Sequence, residues 1–139
     1  MGSYTKLNFK CKLKQDVPKE VTDILERVIN QGDLGHDKVM FNNEDVFHPD
    51  IEHSFFKCSR WYMLFLSKNF DYELEGSKFY KDKGNWILSI ETEFKNYDNE
   101  IENFLDWITP FIVGRKKSQY VGYWKHEEME QRFNLYVER

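Results

Sequence analysis

Histidines, a thiol and carboxylates capable of chemistry gather in one part of this sequence. His36-Asp37, His48-Pro49-Asp50, Glu52 and His53 fall within the stretch 32–58, and Cys58 closes it with Lys57 and Arg60 nearby. Neighbouring imidazoles and carboxylates are the usual ligands of zinc, and a thiol beside cations is the usual setting of a reactive cysteine. The spacing supports neither reading. It matches no HExxH helix, zinc ribbon or EF-hand loop, so no metal is expected. Cys58 reads more simply as a small core residue, and Cys11 falls on the apolar side of an alternating segment, where a thiol is inert. Ser54, Ser59 and Ser67 sit in no nucleophile elbow. His126 with Glu127, Glu128 and Glu130 could exchange protons, but a charge run at a hairpin turn is solvated. Gly76, Gly84, Gly114 and Gly122 are isolated, which leaves no phosphate loop or dinucleotide fingerprint. The expectation is no catalytic residue and no cofactor, with a small enzyme using Cys58 or the loop histidines as an alternative.

The anomaly in the composition is aromatic. With 12 Phe, 8 Tyr and 4 Trp, aromatic residues make up 17% of the 139. Aromatic side chains suit strands and interfaces, because each supplies a large rigid contact area. A β-rich core accounts for many of them. Two segments exceed that need: 61–66 (Trp-Tyr-Met-Leu-Phe-Leu) and 120–125 (Tyr-Val-Gly-Tyr-Trp-Lys) are apolar or aromatic on both sides. Tyr62, Tyr123 and Trp124, with His48 and His53 from the 32–58 loop, are the candidate binding residues. Gly122 marks a bulge or a close backbone approach.

The elements that must position these residues follow from periodicity. Residues 6–14 alternate, Leu7, Phe9, Cys11 and Leu13 against lysines and Asn8, as a half-buried strand does. Asp16 stands at an N-cap, Pro18 in a first turn, and Val21, Ile24, Leu25, Val28 and Ile29 repeat at helical spacing as far as Gly32. A long loop covers 32–58. The run 61–66 reads as a central strand, pairing with 70–74 and 78–80, and 86–94 as a strand whose Glu91 and Glu93 face the lysine side of the first. Asn96 caps a second helix lined by Ile101, Phe104, Leu105 and Ile108 and ended or kinked by Pro110. Strands at 120–125 and 132–138 complete the order.

Two amphipathic helices and alternating strands with polar outer sides call for an α+β fold, an antiparallel sheet with both helices on one face. The order matches a ferredoxin-like βαββαβ core with an extra C-terminal strand, in a single domain spanning 1–139. That fold serves many functions and selects none.

The segments 96–108 (Asn-Tyr-Asp-Asn-Glu-Ile-Glu-Asn-Phe-Leu-Asp-Trp-Ile) and 120–128 (Tyr-Val-Gly-Tyr-Trp-Lys-His-Glu-Glu), with the aromatic run beginning Arg60-Trp61-Tyr62, resemble a family of small uncharacterised bacterial proteins. The resemblance covers roughly the C-terminal two thirds. It implies a bacterial or mobile-element origin and brings no activity.

Charge narrows the partner. With 20 basic and 24 acidic residues the net charge is −4. RNA-recognition domains share this topology, but the 86–94 strand lacks their [KR]-G-[FY] signature and carries Glu91 and Glu93 outward. Single-stranded nucleic-acid binding through an aromatic sheet face is therefore an alternative only. No stretch approaches the length of an apolar membrane span, and sparse cysteine with no apolar leader points to the cytoplasm. The leading expectation is a non-enzymatic protein-binding module, a small acidic inhibitor or immunity-type protein, acting through its aromatic strand surface and the 32–58 loop.

Overall fold

Strict alternation in the first strand sets the layering of the molecule. In the computed structural model, which describes residues 4–30, 53–58, 61–66, 75–97, 99–113 and 119–137, β1 (Thr5–Lys12) buries Leu7, Phe9 and Cys11 and turns Lys10 and Lys12 to solvent. It is the middle strand of five. With β2 (Lys78–Asp82), β3 (Asn85–Phe94), β4 (Gln119–His126) and β5 (Phe133–Val137), it forms a sheet ordered β2-β3-β1-β4-β5 in which every neighbouring pair is antiparallel. Glu93 lies opposite Lys6, Glu91 opposite Asn8 and Ser89 opposite Lys10. The acidic side of β3 and the lysine side of β1 thus share the outer face, as alternation predicts, and Leu88, Ile90, Thr92 and Phe94 are buried on the inner one.

Helices cover that inner face. The first, α1 (Lys19–Leu25), continues as a π-helical turn over Glu26–Asn30 and buries Val21, Ile24, Leu25 and Val28. Asp16 does not cap it. The N-cap is Pro18, whose carbonyl receives Val21 N–H at 3.0 Å. A proline holds the residue before it in extended conformation, so the helix cannot begin before Pro18. At the far end Asn30 Nδ2 donates to the Phe79 carbonyl at 3.2 Å and ties the π turn to β2.

The run 61–66 departs from the sequence expectation of a central strand. It forms a turn followed by one helical turn, α3 (Met63–Leu66), after a similar short helix α2 (Ser54–Lys57). Trp61, Leu64 and Phe65 are buried, while Tyr62, Met63 and Leu66 are half-buried. Their i, i+3, i+4 spacing suits a helical turn over a core as well as a buried strand, and six continuous apolar residues carry no period to choose between them. The sheet secures the choice. Thr92 Oγ1 donates to the Leu64 carbonyl at 2.7 Å and Ser77 Oγ to the Phe65 carbonyl at 2.6 Å, satisfying carbonyls that a single turn leaves open. The expected strand at 70–74, like most of the 32–58 loop, lies outside the described residues.

The last helix, α4 (Glu100–Ile108), starts after Asn99, which takes a left-handed conformation with φ 57°. Asn96 serves as a cap from further back, its Oδ1 accepting the Ile101 N–H at 3.1 Å. Ile101, Phe104, Trp107 and Ile108 are buried, and a 3-10 turn over Thr109–Phe111, containing Pro110, ends the helix. Phe55 of α2 is the centre of an aromatic cluster, with ring centroids 5.1 Å from Phe56, 5.5 Å from Phe104, 5.8 Å from Trp107, 5.9 Å from Phe65 and 6.0 Å from Trp61. Phe104 reaches the sheet through Phe9 at 5.4 Å. Much of the aromatic surplus is accounted for here, since edge-to-face contacts between large rings add to the burial of their area.

Candidate functional site

On the outer face of β4 and β5, aromatic side chains remain in contact with solvent. A one-residue bulge lies between Tyr120 and Gly122, so that Tyr120 pairs with Tyr136, and Gly122, one position further than regular pairing allows, with Leu135. Val121 is consequently buried and Tyr120 faces outward. The Tyr120 and Tyr136 rings meet edge to face at 5.6 Å, 46% and 57% exposed. Further along β4, Tyr123 sits between Asn8 of β1 and Asn134 of β5, and the Arg132 guanidinium lies 4.5 Å from its ring centroid. A cation at that distance from the ring centroid is within cation–π range. Lys6 and Lys125, paired across β1 and β4, extend the same face.

Tyr123 and Trp124 therefore point in opposite directions. Trp124 lies opposite Leu7 on the inner side, half-buried, and stacks on Phe133 at 5.3 Å and 23°. Tyr62 lies in the helix layer, its ring 6.4 Å from Trp61. His53 is there too, as the N-cap of α2, its Nδ1 accepting the Phe55 N–H at 3.0 Å. His48 lies outside the described residues. The four described residues singled out from sequence thus do not form one surface: of these, Tyr123 alone stands on the outer face. Sequence reasoning missed Tyr120, Arg132 and Tyr136 as its companions. The signal was the cross-strand register, which a bulge shifts by one.

Both thiols are free and buried. Cys58 is buried between α2 and α4, its Sγ donating to the Ser54 carbonyl at 3.5 Å and accepting from Asn103 Nδ2 at 3.3 Å. Burial pushes the Cys11 thiol far up from its ordinary value, which keeps it protonated and unreactive. Among the described residues no three His, Cys, Asp or Glu side chains come together as a metal site, and no helix is long and apolar enough to cross a membrane. No family model matches the chain, and neither a curated protein nor a solved structure matches it.

Proposed function

We propose that this chain is a non-enzymatic protein-binding module, of the inhibitor or immunity type, that engages its partner through the outer face of β4 and β5. The observation that carries this reading is the grouping of Tyr120, Tyr136 and the Tyr123–Arg132 pair on a sheet face that no described helix covers. Tyrosine and arginine dominate the energetics of protein interfaces because they bring large, semi-rigid contact area together with hydrogen-bonding groups. The net charge of −4 favours encounter with a basic partner. Two free, buried cysteines agree with a reducing, cytoplasmic setting. The strand order β2-β3-β1-β4 supports reading the core as ferredoxin-like βαββαβ, with β5 as the additional C-terminal strand.

The test is recovery of the tagged full chain from its host cells at low salt, with and without nuclease, beside Tyr136→Ala and Arg132→Ala variants. A near-stoichiometric protein retained by the parent chain after nuclease and lost by both variants, with circular dichroism unchanged, is the expected result. Equal retention by the variants would remove the face from the interaction. Loss on nuclease treatment would transfer the face to single-stranded nucleic acid, for which exposed tyrosines beside Arg132 and Lys125 would also serve.

A further inference from the structure

The helix layer, on the side away from the tyrosines, contains a cleft of about 610 Å³ between α1 and the end of α4. That volume falls within the roughly 300–1,000 Å³ of small-molecule sites. Its apolar surface comes from Val21 and Ile24 on one wall and Trp107 and Phe111 on the other, the two rings being 6.5 Å apart. Glu20 and Asp23 stand on the first wall and Asp106 on the second. These are the exposed flanks of the stripes that build the core. A helix that buries Val21 and Ile24 must carry Glu20 and Asp23 beside them, and burial of Trp107 places Asp106 next to it.

Among the described residues the lining contains three carboxylates and no lysine or arginine. Lys19 pairs with Asp23 across one helical turn at 3.8 Å, with its own side chain 88% exposed. An exposed i, i+4 pair of that kind holds its partner weakly. His53 completes the lining, and because its Nδ1 accepts the Phe55 N–H, the neutral ring has its proton on Nε2 and offers a donor. Pro18 and Pro110, one at each wall, limit how far either backbone can move as a ligand enters.

We propose that this cleft binds a small amphipathic amine, with its ammonium group among Asp23, Asp106 and Glu20 and its apolar body on Val21, Ile24, Trp107 and Phe111. An anion would meet carboxylates without a compensating cation among the described lining residues. A neutral apolar molecule would gain the floor and leave the acidic rim unused. An amine on an aromatic or aliphatic body uses both, and the indole and phenyl rings add π surface for the cation. The site is separate from the outer sheet face and does not depend on it.

The experiment is titration of the 15N-labelled full chain at pH 7 with phenethylamine, phenethyl alcohol and 3-phenylpropionate, followed by amide and indole chemical shifts. Saturable shifts at Val21, Asp106 and the Trp107 indole are expected with the amine, about tenfold weaker binding with the alcohol, and none with the carboxylate. An Asp23→Asn/Asp106→Asn variant should bind the amine about tenfold more weakly with its spectrum otherwise preserved, and Tyr123→Ala should bind it as the parent does. Absence of saturable shifts with the amine, equal binding of amine and alcohol, or full affinity in the double variant would each overturn the proposal. If the double variant fails to fold, comparison of the three ligands on the parent chain decides the matter alone.

Discussion

Gly122 and Asn8 meet backbone to backbone: a Cβ on Gly122 would stand 1.9 Å from the Asn8 carbonyl oxygen, and the glycine holds φ at 142°. Here β4 pairs with Phe9 of β1, directly beside the bulge. Regular alternation back from Tyr123 would send Val121 outward and Tyr120 into the core. The bulge reverses both. One glycine is thereby responsible for the solvent-facing Tyr120–Tyr136 pair.

Gly122→Ala should accordingly destabilise the chain by about 3 kcal/mol or more, because neither the Asn8 carbonyl nor a left-handed backbone can give way cheaply. Urea unfolding followed by circular dichroism measures it. A loss under 1 kcal/mol would mean that β4 does not approach β1 as described.

Thr92→Val keeps the shape of the side chain and removes the hydroxyl that binds the Leu64 carbonyl. A loss of about 1–2 kcal/mol is expected, the value of a buried hydrogen bond whose acceptor is left unsatisfied. No change would indicate that the Thr92 hydroxyl does not help to hold α3.

The two aromatic populations should separate cleanly by stability. Phe55→Ala removes the centre of a five-ring contact set and should cost about 3–5 kcal/mol. Tyr136→Ala removes a largely exposed ring and should cost less than about 1 kcal/mol. Parallel denaturation curves of the two variants check the assignment of each ring to core or surface.

Cys11 gives the chain a pH dependence on the alkaline side. Burial pushes its thiol up, so the native state keeps the proton while the unfolded chain releases it above about 9. The unfolded state then holds fewer protons than the native one, and this thiol's share of the stability, intact below that pH, falls by about 1.4 kcal/mol per pH unit above it. Urea unfolding at pH 8 to 10.5 should show a shallower decline in Cys11→Ala than in the parent chain. Identical slopes would mean that the thiol reaches solvent.

Alternation made the sheet legible. Leu7, Phe9 and Cys11 against the lysines, and Leu88, Ile90 and Phe94 against the glutamates, specify two half-buried strands and the face they share. The two main helices were legible from their apolar stripes, though each starts later than its first polar signal: Pro18 governs one and left-handed Asn99 the other. Trp61 to Leu66 was illegible because an unbroken apolar run has the same appearance at any period, and the hydrogen bonds that hold it as a helical turn come from Thr92 and Ser77, far along the chain. The sites were less legible than the fold. Tyr123 was found because it is a strand aromatic, but its partners Tyr136 and Arg132 are set by strand register, and the cleft acids on α1 and α4 are brought together only by helix packing.

The two margins of the sheet are finished differently. At one end β2 carries Lys78, Lys81 and Asp82, charges of the kind that discourage a further strand from joining. At the other, β5 consists of Phe133, Asn134, Leu135, Tyr136 and Val137, with no charge in its length and, among the described residues, a neighbour on one side only. This margin is a template. An extended segment laid along it would continue the Trp124–Phe133 row on one face and the Tyr120–Tyr136 row on the other in a single step, so the polarity of the molecule lies as much along its sheet as across it.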